Sequence, residues 1–132
     1  ERYKSLGPIY YRDAVAAIIV YDQTDQESAN AIKTWYEAFR STVKTQAVII
    51  IVGNKDDLDN KIVANEPIKK WAEENGFGFL LTSAKTGSNI TELFRELVQR
   101  LVESQKTEMI VPDTNSVHVK DSESSKSPSS CC

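Results

Sequence analysis

Residues 15–21 and 47–52 form two short apolar runs, rich in Val and Ile and without polar alternation. That pattern predicts strands buried on both faces, as in a parallel sheet covered by helices on each side. Residues 77–82 predict a third, weaker strand. Between the first two lies a predicted helix, with Thr24 as its cap in a capping box with Glu27, and with Ile32, Trp35, Tyr36, Phe39 and Val43 on one face. Asn65 is the predicted cap of the next helix, Ile68, Trp71 and Ala72 its apolar stripe, and Gly76 its stop. The last helix shows the clearest spacing: Leu93, Phe94, Leu97, Val98, Leu101 and Val102 recur as one stripe, with charged and amide residues between them.

Three strands alternating with three main helices predict an α/β fold with an open parallel sheet. Ligands of such sheets bind beyond the carboxyl ends of the strands. The loops after Tyr21, Val52 and Thr82 are therefore where chemistry is expected. Composition shifts near Lys106 from alternating apolar and amphipathic segments to a polar, Ser-rich stretch, which divides the chain into a domain over residues 1–105 and a flexible tail over 106–132.

With 132 residues, 40% of them hydrophobic and 27% charged, the chain has material for one core. The net charge of −3 supplies no basic field for a nucleic-acid backbone, which excludes that class of partner. Its apolar runs fall far short of the roughly 18 residues of a membrane-spanning helix. The two cysteines, Cys131 and Cys132, stand together at the end and cannot frame a disulfide-bonded core, which favours a reducing, intracellular setting.

The loop after the second strand reads Gly53-Asn54-Lys55-Asp56-Asp57. A carboxylate such as Asp57 can accept two parallel hydrogen bonds from the N1 and N2 donors of guanine. Adenine offers neither donor, and sites of that design discriminate by about 10⁴-fold or more. Asn54 can tie neighbouring loops together, and the Lys55 stem can lie over a base plane. After the third strand, Thr82-Ser83-Ala84-Lys85 places a hydroxyl where it can orient Asp57 and a small residue where a backbone N–H can approach a ligand carbonyl. Either loop alone is also compatible with an ordinary polar turn. Together, after consecutive buried strands, they point to one base.

Asn54-Lys55-Asp56-Asp57 and Ser83-Ala84-Lys85 resemble the guanine-specificity motifs of the Ras-superfamily small GTPases. Glu1-Arg2-Tyr3, Tyr10-Tyr11-Arg12 and Val20-Tyr21-Asp22 resemble the switch II helix and following strand of the Rab family, and residues 5–13 are most similar to its early-endosomal branch. The resemblance implies the second half of a P-loop NTPase-like small G domain and a guanine-nucleotide-dependent switch in vesicle and endosomal trafficking. It implies that Asn54, Lys55, Asp57, Ser83, Ala84 and Lys85 bind the guanine of GTP or GDP. By the same resemblance, Leu6, Ile9 and Tyr10 are switch II contacts for exchange factors, GTPase-activating proteins and effectors; simple core packing is the alternative for these three. Tyr3 and Tyr11 are expected to pack inward. The chain departs from the family at Gln23, where an apolar residue is usual, at Asp13, where many members have Gly, and at Leu81, where an acidic residue is frequent.

No Gly-x-x-x-x-Gly-Lys-Ser/Thr occurs in the sequence, so the nest and lysine that cradle phosphates are not in it. The switch I threonine and the water-orienting glutamine would precede Glu1 in the family. The chain reads as a carboxy-terminal portion of a GTPase whose Mg²⁺ ligands and catalytic residues lie elsewhere, inactive by itself and with an apolar sheet edge that predicts aggregation. The Cys131-Cys132 end resembles the family's doubly geranylgeranylated terminus, implying the prenylation machinery as a partner and a lipid anchor on the cytoplasmic face of endosomal membranes, cycling with the cytosol; a vicinal disulfide or an unmodified pair is the alternative. A non-catalytic prenylated interaction module is the competing function. A receiver or flavodoxin-like domain shares the architecture but has no use for both base-reading loops.

Overall fold

A computed structural model describes residues 7–110. Its elements run α1 (Gly7–Tyr11), β1 (Ala16–Asp22), α2 (Gln26–Asn30), α3 (Ile32–Arg40), β2 (Val48–Asn54), α4 (Asn65–Glu74), β3 (Gly78–Leu81) and α5 (Ile90–Ile110). The strands pair in parallel in the order β1-β2-β3. All three predicted strands are present: β1 and β2 begin one residue later than their apolar runs and extend past them, and β3 is one residue shorter at each end.

Side chains alternate between two cores, as the twofold period of a strand requires. Ile19, Tyr21, Ile49 and Ile51 face α3 and α4, where Ala29, Ile32, Phe39, Val63 and Ala72 complete the larger core. Ile50 and Val52 face the other way, onto Leu93 with Leu97 and Leu80 beside it. Tyr36, Trp71 and Phe77 close the end of the larger core as an aromatic cluster, with ring centroids 5.1–5.7 Å apart and steeply inclined planes. Tyr11 packs inward on Phe39 with centroids at 5.7 Å, as its place in the pattern suggested.

The structure corrects three helix readings. Asp25, not Thr24, is the N-cap of α2: its carboxylate accepts the Glu27 N–H at 3.0 Å, while Thr24 turns back to Asp22. The single helix expected through Val43 is α2 and α3 joined at Ala31, and it ends at Ser41, before Val43. Asn65 does not cap α4 either; Ala64 occupies that position without a side-chain bond, and Asn65 reaches into the protein. Gly76 does end α4, at a φ of 75° beyond the Asn75 cap.

In α5 the apolar stripe divides. Leu93 is buried and Leu97 and Leu101 half-buried, whereas Phe94, Val98 and Val102 are exposed. The stripe is wider than the face that a three-strand sheet covers. The helix also runs to Ile110, past the composition shift at Lys106.

Candidate functional site

Pairing register brings the chemistry to one edge. Asp22 lies opposite Asn54, and Gly53 opposite Leu81, so all three strands end together. Gly53 is required there by close approach: a Cβ would stand 2.6 Å from the Tyr21 hydroxyl and 2.8 Å from Leu81 Cδ2. Leu81, a departure from the family pattern, thus packs over a residue that has no side chain.

The two expected loops meet in one pocket, lined by Asn54, Lys55, Asp57, Leu58, Ala84 and Lys85. Asn54 ties them together through Oδ1, which accepts the Ala84 N–H at 3.1 Å and the Thr82 hydroxyl at 3.3 Å. The Ala84 N–H, expected to face a ligand carbonyl, is therefore engaged with Asn54. Ser83, itself buried, donates its hydroxyl to Asp57 Oδ1 at 2.7 Å and accepts the Thr86 N–H at 3.1 Å. That hydroxyl holds the Asp57 carboxyl below the usual carboxylate range. Asp57 is otherwise exposed, so its carboxylate is oriented yet open to the pocket. The Asp56 N–H to Thr82 carbonyl bond at 2.9 Å and the Thr82 N–H to Gly53 carbonyl bond at 2.8 Å clamp the loops at their roots.

Lys55 adopts a left-handed φ of 66°, a conformation uncommon for a side-chain-bearing residue and concentrated at functional sites. Its ammonium lies 2.7 Å from Asp22 Oδ2. The carboxylate partner raises the Lys55 pKa, and in return Lys55, with the Thr24 hydroxyl and N–H, holds Asp22 at about 2. The same residue lines the pocket. Asp22 has no role assigned by the sequence reading beyond its place in Tyr21-Asp22; the only signal was an acid at a strand's carboxyl end.

Gln23 and Asn65 were also missed as structural parts of this edge. Gln23 is fully buried, and its backbone N–H reaches the Asn54 carbonyl at 3.2 Å. Ile9 and Tyr10 stand 73% and 74% exposed, so core packing does not account for them. Leu6, Tyr3, Cys131 and Cys132 lie outside the described residues. Among the described residues no three His, Cys, Asp or Glu side chains gather to hold a metal ion. Nor is any helix among them long and apolar enough to cross a membrane.

A family model described as the Ras family matches residues 1–103. The chain belongs to the Ras family. This Ras-family chain is 44% identical over 118 residues to Ras-related protein RABF2b of Arabidopsis thaliana, a match covering 86% of the chain and 59% of that relative. It is 45% identical over 106 residues to Ras-related protein Rab5 of Nicotiana tabacum, covering 80% and 53%. To Ras-related protein Rab5A of Oryza sativa subsp. japonica it is 38% identical over 133 residues, covering 100% of the chain and 65% of the relative. All three are named as Ras-related proteins, two of them as Rab5 or Rab5A. The chain spans less than two thirds of the length of each.

Proposed function

We propose that this chain carries the guanine-reading half of a Rab-type GTPase, a nucleotide-dependent switch in endosomal trafficking. The observation that carries the reading is the Asp57 carboxylate, fixed by Ser83 at 2.7 Å and exposed to a pocket that Lys55 and Lys85 also line. Guanine's N1 and N2 donors match the two oxygens of such a carboxylate, and the Lys55 stem supplies an apolar cover for the base. Hydrolysis of GTP to GDP and phosphate, with Mg²⁺, belongs to the whole protein in this proposal. Residues 1–132 contain no phosphate loop and are expected to hydrolyse none by themselves.

The exposed Ile9 and Tyr10 support a partner surface on α1 for exchange factors, GTPase-activating proteins or effectors. Prenylation of Cys131 and Cys132 would tether the switch to the cytoplasmic face of a membrane, two chains giving the stable anchoring that one does not. An interaction module without nucleotide would use the same α1 surface, but it leaves the Ser83 to Asp57 arrangement without a purpose.

Competition binding tests the central claim. The natural protein that contains this chain is titrated with GDP and ADP, as wild type and as Asp57→Ala. Expected is a preference for GDP that the substitution removes, by about 10²-fold or more. A preference that survives Asp57→Ala would refute the reading.

A further inference from the structure

Among the described residues Gln23 is, after Tyr21, the largest completely buried side chain that carries a polar group. An amide in such a place must have its hydrogen bonds made for it. Its Nε2 hydrogens are shared among the carbonyls of Gly53 and Asn54, both at 3.3 Å, and Asp56 Oδ1 at 3.4 Å. Its Oε1 accepts from Asn65 Nδ2 at 2.9 Å, and Asn65 Oδ1 in turn accepts the Tyr21 hydroxyl at 2.5 Å. The main chain repeats the pattern: Gln23 N–H bonds to the Asn54 carbonyl at 3.2 Å, and the Gln23 carbonyl accepts the N–H groups of Ile62 at 2.9 Å and Val63 at 3.1 Å.

One residue thus grips both ends of the segment that carries the base-reading loop. Asn54 and Asp56 are held at its start, and Ile62, Val63 and Asn65 where it enters α4. Asp56 is braced a second time by Lys61 at 3.0 Å, which with Gln23 keeps its carboxyl below the usual range. Asp57 lies between these clamps and has no direct bond to Gln23. An apolar side chain of similar volume would fill the space and leave the loop carbonyls, Asp56 and Asn65 to find other partners.

We infer that Gln23, fixed by Asn65, is the positioning residue for the base-reading loop, setting where Asp57 meets the base and so how strongly this chain prefers guanine. The inference rests on the guanine reading above. Gln23 itself is absent from the pocket lining, so it acts through Asn54 and Asp56.

The test uses the natural protein that contains this chain and compares GDP with inosine diphosphate, which lacks only the 2-amino donor that Asp57 would accept. Dissociation constants for both are measured alongside thermal melts for wild type, Gln23→Leu and the double variant Gln23→Leu/Asn65→Leu. Gln23→Leu is expected to lower the ratio of GDP to inosine diphosphate affinity by about tenfold, since small misplacements of a reading group are costly. The double variant also strands the buried Tyr21 hydroxyl that Asn65 accepts, so its melting temperature should fall to or below that of Gln23→Leu while the ratio stays as low as in Gln23→Leu. A wild-type ratio retained in Gln23→Leu, or a ratio that returns to wild type in the double variant, would make Gln23 a packing residue only and overturn the inference. If Gln23→Leu does not fold, Asn65→Ala frees the same amide more gently and must lower the ratio; an unchanged ratio there overturns the inference as well. Absence of any guanine preference in the wild type would instead remove the functional reading on which it stands.

Discussion

Ser83 and Asp57, 26 residues apart in the chain, are joined by a hydrogen bond of 2.7 Å in which the hydroxyl donates to Oδ1. The bond stabilises the charged carboxylate and is the first cause of its lowered pKa. Ser83→Ala should raise that pKa toward the ordinary 3.8, read by a carboxyl-carbon NMR titration. It should also free the Thr86 N–H that Ser83 accepts, loosening the third loop. An Asp57 titration unmoved by Ser83→Ala would show that another group orients the carboxylate.

Asp22 and Lys55 give a pH dependence whose sign follows from the direction of each shift. Asp22 falls from 3.8 to about 2 on folding, so its contribution is present above its unfolded value and is lost as pH drops through about 2. The Lys55 pKa is raised, so its share is complete below its ordinary 10.5 and lost as pH rises through the folded value. Asp22→Asn keeps an oxygen for the Thr24 N–H and hydroxyl, which Asp22 Oδ1 accepts at 2.8 and 2.7 Å, and removes the charge together with the acceptor that Lys55 uses. Melting temperatures of the two proteins should differ at about pH 6 and converge toward about pH 2. A difference that stays constant over that range would exclude the ion pair as its source.

The strands and the meeting of the two loops after them were legible because buried parallel strands and a paired Asn-Lys-x-Asp with Ser-Ala-Lys leave local marks. Ser83 as the orienter of Asp57 was readable from the hydroxyl's place at the end of a strand. The caps were not. Thr24, Asp25 and Asn65 each offer a capping side chain within two residues of a helix start, and tertiary partners decided between them: Asp22 took Thr24, and Gln23 and Tyr21 took Asn65. Gln23 stood out only as a departure from a family pattern, because nothing local in a sequence says that an amide is buried. The exposure of Phe94, Val98 and Val102 was hidden for a related reason: periodicity gives the width of an apolar stripe and says nothing of how much surface is there to cover it.

Gly53→Ala should be damaging although it adds one methyl group. The new Cβ would meet the Tyr21 hydroxyl and Leu81 Cδ2 at 2.6 and 2.8 Å, and the Tyr21 hydroxyl is committed to Asn65. Overpacking of this kind costs about 1–3 kcal/mol. The measurement is a urea unfolding midpoint, expected to fall without a change in slope. An unchanged midpoint would mean that the Tyr21 ring yields freely.

The outer edge of β1 bears on how the 132-residue chain behaves when expressed by itself. Among the described residues β1 pairs only with β2, which leaves its other row of backbone N–H and C=O groups free to template another strand. A groove lined by Tyr11, Ala17, Ile18, Ile19, Val20, Trp35 and Phe39 runs along this side, and Val15 and Val20 are 60% and 54% exposed. Phe94, Val98 and Val102 add an apolar face on α5. Self-association is the expected result, measured by light scattering on a sizing column, and a monomer with a sharp two-state melt would contradict it. Two substitutions separate the surfaces. Val20→Lys puts a charge on the strand edge, where natural sheets use lysine to block pairing, and Val98→Lys puts one on the helix face. If the edge drives association, Val20→Lys should restore the monomer more fully than Val98→Lys; the reverse order would assign association to α5 and leave the strand edge passive.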